Sequence, residues 1–191
     1  MDTIEKSKGN KIWSSKKARS FNQNWSSETE VHELLFALVR SLKPDNVLEI
    51  GTFEGDTALA IARALKENKL GHLTTTDIRS FGQEMFLVDN DVGEYVTCVT
   101  SNPVEYLEQQ QSGSFDFIFI DGSHEYKEVS RDLEMSDRLI KDQGYIVGHD
   151  AIMIPDVVTA YTSFMEKNKD KYKDIVLDTY AGVFILKKMH G

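Results

Sequence analysis

The sequence predicts an α/β fold: a mostly parallel sheet of seven strands, helices on both of its faces, and an antiparallel hairpin at the C-terminal end. Three observations carry this. Short apolar runs alternate with stretches of helical period, as strand-helix-strand units of a parallel sheet require. The run Phe115, Phe117, Ile118, Phe119, Ile120 is apolar almost throughout, as befits a strand buried on both faces. Finally, the last apolar segments, Ile175–Leu177 and Val183–Leu186, flank Gly182 and read as a closing hairpin.

Along the chain, residues 1–27 form a polar arm rich in Lys, Ser and Asn, with Trp13, Phe21 and Trp25 in no clear period. A single domain is expected over 28–191. From Glu28 to Leu42, Val31, Leu34, Leu35, Leu38, Val39 and Leu42 recur at three and four, which predicts a helix; Ser27 and Glu30 are spaced as a capping box. Pro44 closes it, and Asn46–Ile50 is the first strand. Gly51 follows, and Gly55 opens a second helix through Leu65. Further strands are expected at Leu73–Ile78, Tyr95–Val99, Phe115–Ile120 and Tyr145–Val147, and helices at Val104–Gln110, Tyr126–Ile140 and residues 156–167.

Composition excludes several classes. Lys and Arg total 22 against 31 for Asp and Glu, a net charge of −9, so the surface is poorly suited to neutralising nucleic-acid phosphates. The arm carries six basic residues and two acids, which leaves the body at −13. No apolar run approaches the ~20 residues of a membrane span. A secretory leader is not apparent, and the lone Cys98 sits in an apolar strand without a partner cysteine, so a cytoplasmic protein is expected and Cys98 reads as a packing residue.

Ligands of open parallel sheets bind beyond the carboxyl ends of the strands, so the residues after each run matter most. Glu49-Ile50-Gly51-Thr52-Phe53-Glu54-Gly55-Asp56-Thr57 follows the first strand: Gly51 and Gly55 permit a tight turn and close backbone approach, and the next helix points free amides at a ligand. The loop lacks the third glycine of a dinucleotide motif, and Glu49 suits a cationic ligand rather than a pyrophosphate. Asp77, ending the second strand, is placed either to accept ribose hydroxyls or to cap a helix. Ser101 and Asn102 either read an adenine edge or cap the following helix. The fourth and fifth strands end in Asp121-Gly122-Ser123-His124 and Gly148-His149-Asp150. Asp121 and Asp150 offer hard oxygen donors suited to Mg²⁺ or a similar ion, and His124 is placed to take a proton from a substrate oxygen.

Val47-Leu48-Glu49-Ile50-Gly51-Thr52-Phe53-Glu54-Gly55, Phe117-Ile118-Phe119-Ile120-Asp121-Gly122-Ser123-His124-Glu125-Tyr126, Gly144 and His149-Asp150 together resemble the class I S-adenosylmethionine (SAM) dependent methyltransferases. The chain is most similar to small O-methyltransferases of the catechol O-methyltransferase and macrocin types, from about Glu28 to Lys188. The resemblance implies a Rossmann-like sheet and a glycine loop, with Glu49, Gly51, Thr52, Phe53, Gly55 and Thr57, that holds the amino-acid end of SAM. It further implies Asp77 on the ribose, Ser101, Asn102 and Asp121 along the cofactor, Asp121 and Asp150 on Mg²⁺ or Mn²⁺, and His124 as general base. Metal-dependent relatives commonly carry a second amide or carboxylate beside the later aspartate, where this chain has His149 and Ala151. Three alternatives therefore stay open: His149 is a ligand, the site is weak, or His124 acts without an ion. A relative similar to cephalosporin hydroxylase shows that the scaffold also serves other ends.

The expected function is methyl transfer from SAM to a hydroxyl of a small molecule. The competing reading is a nucleotide-dependent oxidoreductase, or a hydroxylase-like relative, on the same scaffold. Acceptor-pocket walls are expected from the aromatic arm and from Ile152–Asp156, and an arm of this kind also suits docking on a second copy in a homo-oligomer.

Overall fold

The computed structural model describes residues 27–190. Helix α1 (Thr29–Leu42) leads into β1 (Asn46–Ile50), α2 (Asp56–Asn68), β2 (His72–Asp77), α3 (Gln83–Asp89), β3 (Val96–Thr100), α4 (Pro103–Glu108), β4 (Phe115–Ile120), α5 (Tyr126–Leu139), β5 (Ile140–Gly148), α6 (Pro155–Asn168), β6 (Tyr172–Leu177) and β7 (Val183–Lys188). The seven strands lie in the order β3-β2-β1-β4-β5-β7-β6. Strands β1 to β5 run parallel to one another, whereas β7 is antiparallel to both β5 and β6. The expected sheet and its closing hairpin are both present.

Side chains alternate across the pleat and split the core into two layers. Val47, Phe117, Phe119, Val147 and Val183 face Val31, Leu35 and Val39 of α1, the α2 residues Leu59, Ile61 and Leu65, and Phe86 and Leu87 of α3. Leu48, Ile50, Ile118, Ile120, Ile146 and Leu186 face α4, α5 and α6 through Leu107, Val129, Leu133, Val157 and Phe164. β1 and β4 are neighbours, and the chain reverses its direction of travel across the sheet between them. The crevice at the carboxyl ends of these two strands is therefore the topological switch point where such sheets take ligands.

Three local expectations need correction. The capping box does not form: Glu28 occupies the N-cap of α1 and makes no cap bond, while Ser27 Oγ lies 3.0 Å from His32 Nε2. Helix α3 has no counterpart in the sequence reading, because its seven residues supply only Phe86 and Leu87 as buried large apolar positions, too few to mark a period. Strand β5 begins at Ile140, directly where α5 ends, rather than at Tyr145. The arm expected over residues 1–27, including Trp13, Phe21 and Trp25, lies outside the described residues except for Ser27. Among the described residues no helix is long and apolar enough to cross a membrane.

Candidate active site

The glycine loop after β1 is shaped by contacts on both sides. Gly51 has φ +97°, and a Cβ there would lie 2.3 Å from the Asp121 carbonyl oxygen, so this glycine lets the end of β1 meet the end of β4. Gly55, φ +95°, is the N-cap of α2. Phe53 also adopts a left-handed backbone, φ 47°. Asp77 pins that conformation: its Oδ2 accepts the amides of Thr52 (3.1 Å) and Phe53 (2.8 Å), and Oδ1 accepts the Arg79 amide at 3.3 Å. The end of β2 thus braces the loop in addition to facing the crevice. The Phe53 ring meets Phe81 edge-on at 4.8 Å, and the Arg79 guanidinium covers Phe81 at 4.6 Å.

Glu49 is wholly buried. Parallel pairing sets it beside Thr75, whose hydroxyl donates to Glu49 Oε2, and Thr52 Oγ1 continues the chain at 2.5 Å from Thr75 Oγ1. The other carboxyl oxygen, Oε1, has no partner among the described residues. Burial pushes this carboxyl up to about 8, helped by the negative charges of Asp121 and Asp77 and opposed by the neighbouring Thr57 and Thr75 hydroxyls. Glu49 is thus a buried carboxyl whose neutral form burial favours, with one oxygen unspent. A cationic group arriving from the crevice would satisfy that oxygen and favour its ionised form, and this fits the ammonium end of SAM.

Of the other cofactor candidates, Asn102 caps α4: its Oδ1 accepts the Val104 amide at 3.0 Å. The Ser101 amide donates to the Asp77 carbonyl at 3.0 Å, which draws the ends of β3 and β2 together.

The opposite wall of the crevice holds Asp121, His124, His149 and Asp150. Asp150 follows β5 with φ 60°, a left-handed conformation that aspartate tolerates better than most non-glycine residues. His124 Nε2 lies 2.8 Å from Asp150 Oδ2, and the His124 side chain is about half exposed. This hydrogen bond raises the imidazole above its ordinary value, against burial, with the charges of Asp150 and Asp121 adding to the rise. Buried His149 places Nδ1 3.4 Å from Asp121 Oδ1 and 3.5 Å from Asp150 Oδ2, with Nε2 2.6 Å from Glu28 Oε2. Burial opposes charge on this ring, but hydrogen bonds to Asp121 and Asp150 outweigh it and hold it up to about 11. Asp150 is likewise pressed upward by burial and held well below the usual carboxylate range by the two imidazoles.

One ligand atom each from Asp121, His124 and Asp150 lies within 4.8 Å of the others, close enough to share an ion. Two carboxylates and an imidazole suit a divalent cation such as Mn²⁺ or Mg²⁺. The expected catalytic and metal residues are therefore brought together. Cys98, by contrast, is half-buried and its thiol is pushed up to about 11, first by burial and then by Glu49 and Glu84, which disfavours the thiolate.

Sequence reasoning missed Thr75 and Glu28. A buried acid in one strand requires a donor in the next, so the run Thr74-Thr75-Thr76 was a usable signal for Thr75. Nothing local marks Glu28, whose partners lie 121 and 153 positions away.

Residues 48–151 match a family described as a methyltransferase domain. A protein of Mycobacterium tuberculosis named as an O-methyltransferase is 28% identical over 145 residues, covering 71% of this chain and 61% of that protein. The chain thus spans less than two thirds of that relative. Among solved structures, the Bacillus cereus O-methyltransferase in complex with S-adenosylhomocysteine (SAH) superposes with a TM-score of 0.73 at 20% identity, covering 86% of this chain and 83% of that one. TomG of Streptomyces achromogenes, an O-methyltransferase involved in tomaymycin synthesis and solved with SAM, gives 0.72 at 20% identity over 87% and 82%.

Proposed function

Given that the chain belongs to the methyltransferase domain family, we propose that it transfers a methyl group from SAM to a hydroxyl of a small molecule. The observation that carries this reading is the pairing, across one crevice, of an unspent buried carboxyl at Glu49 with the Asp121, His124 and Asp150 cluster. One side fits a cationic ligand and the other fits a hydroxyl that must lose its proton.

Bound SAM supplies a methyl group on a sulfonium, electrophilic at carbon. The glycine loop, pinned by Asp77, positions the cofactor, and the free Glu49 oxygen receives its ammonium. With Nε2–H given to Asp150, His124 takes the acceptor proton on Nδ1 as the oxygen forms its bond to the methyl carbon and the carbon–sulfur bond breaks, leaving SAH. Asp150 orients that imidazole and stabilises its protonated form. Asp121 and Asp150 would hold a divalent cation, Mg²⁺ or Mn²⁺, which lowers the pKa of a bound hydroxyl. Ile152 and Met153, exposed beside Asp150, and Tyr126, exposed beyond His124, offer apolar walls to the acceptor.

The test is a screen of hydroxylated metabolites with labelled SAM, with and without EDTA. Label transferred to an acceptor oxygen supports the reading. Binding of NAD in place of SAM or SAH would favour the oxidoreductase alternative.

A further inference from the structure

We propose that Glu28 is a positioning residue that fixes the His149 ring with Nδ1 facing Asp121 and Asp150, and so makes His149 the third ligand of the cation site. The inference rests on the reading above that this rim holds a divalent cation.

Glu28 stands at the N-cap of α1, where an acid ordinarily serves the helix amides, yet it makes no cap bond. Both carboxylate oxygens reach across the molecule instead. Oε2 accepts from His149 Nε2 at 2.6 Å, and Oε1 accepts the Ala181 amide at 2.7 Å. The Ala181 carbonyl in turn accepts the amides of Ile152 (2.9 Å) and Met153 (3.0 Å), just past Asp150. One carboxylate thereby holds the ring from behind and the loop that carries its neighbour, and it cannot turn without losing both partners.

With Nε2–H given to Glu28, Nδ1 is the nitrogen presented to the crevice, and a cation binding there displaces the proton that Nδ1 otherwise shares with Asp121 and Asp150. Its spacings to the two carboxylates, 3.4 and 3.5 Å, stand at the long end of hydrogen-bond reach. An ion some 2.1 Å from each of two ligand atoms at right angles sets them ~3 Å apart, so these groups would close by about 0.4 to 0.5 Å to share one. Histidines that ligate metals commonly donate their second nitrogen to a carboxylate, which sets the tautomer and the ring plane. Glu28 stands in that place. His124, on the exposed side, is then left for the acceptor proton.

The experiment uses the full chain with Mn²⁺ as probe, reading free Mn²⁺ by electron paramagnetic resonance, with SAH calorimetry in parallel. Glu28→Gln keeps an acceptor for the Ala181 amide but removes the carboxylate behind the ring. It should weaken Mn²⁺ binding by about 10- to 100-fold, with SAH affinity within about twofold of wild type. His149→Ala should lose at least as much, and the double variant should lose no more than His149→Ala alone. Unchanged Mn²⁺ affinity in Glu28→Gln, an added loss in the double variant, or loss in His124→Ala with retention in His149→Ala would each overturn the proposal. Absence of Mn²⁺ binding by the wild type at millimolar concentration overturns the cation reading and this one with it, while SAH binding tests the methyltransferase reading separately. If Glu28→Gln does not fold, ¹⁵N spectra of the wild-type His149 ring with saturating Mg²⁺ decide. Protonated Nε2 is expected, and protonated Nδ1 overturns the proposal.

Discussion

Replacing Glu49 with Gln should change how stability depends on pH. Burial holds this carboxyl near 8 in the folded chain against an ordinary 4.5. Between those values the folded protein keeps a proton that the unfolded chain has released, so stability falls as pH rises and levels off above 8. Each unit is worth about 1.4 kcal/mol for one such group, or about 4 kcal/mol between pH 5 and pH 8. Glu49→Gln has nearly the same shape and no charge to lose. Near pH 5 the two proteins should be of similar stability, and near pH 8 the variant should be the more stable by several kcal/mol. Urea denaturation followed by circular dichroism at pH 5, 6.5 and 8 reads this directly. Groups common to both proteins cancel in the difference. The same variant should bind SAH more weakly, because the oxygen that receives the ammonium is gone. A stability difference that stays constant across the three pH values would refute the reasoning, since Glu49 would then titrate alike in folded and unfolded chains.

Other outcomes follow from the same geometry. His124→Ala should lower kcat by about 10²- to 10⁴-fold and leave SAH affinity within about twofold, as measured by turnover and calorimetry. Because Asp150 raises this imidazole and the base must be neutral, wild-type kcat should climb with pH through that imidazole's titration, and a cation bound on Asp121 and Asp150 should move the midpoint down. Asp77→Ala removes the acceptor of the Thr52 and Phe53 amides and should cost about 1.5 to 3 kcal/mol in SAH binding, read by calorimetry. Gly51→Ala combines about 1 to 3 kcal/mol of backbone strain with a clash against the Asp121 carbonyl, and should lower the melting temperature even without ligand.

Much of this arrangement is legible in the residues themselves. A strand buried on both faces cannot avoid an apolar run, so Phe115–Ile120 announces itself, and the acids and imidazoles at the strand ends stand out against such runs. What the sequence does not reveal depends on distance and competition. Glu28 and Ser27 have the composition of an N-terminal cap, but His149, the Ala181 amide and His32 compete for their side chains and win. Asn102 carries a donor and an acceptor suited to a base edge, and the nearby amide of Val104 takes the acceptor. Asp77 offers its oxygens to a ligand, yet the loop it faces already uses both of them through three backbone amides. Gly51 suggests room for a ligand, and its immediate neighbour is the Asp121 backbone. Where the partner is distant, as for Glu28 with His149 and Ala181 and for Asp77 with the Thr52 and Phe53 amides, it leaves no periodic trace.

The central claim, that the crevice at the ends of β1, β2 and β4 takes SAM, is tested most directly by adding SAH to the purified chain and measuring its melting temperature and binding heat. At about 100 times its dissociation constant, a ligand specific to the folded state stabilises it by about 2.7 kcal/mol, which for a chain of this size is roughly 5 to 10 °C. The account predicts a shift of that order, one SAH bound per chain, and a smaller shift in Asp77→Ala. No heat and no shift at millimolar SAH, in a protein shown to be folded, would contradict it.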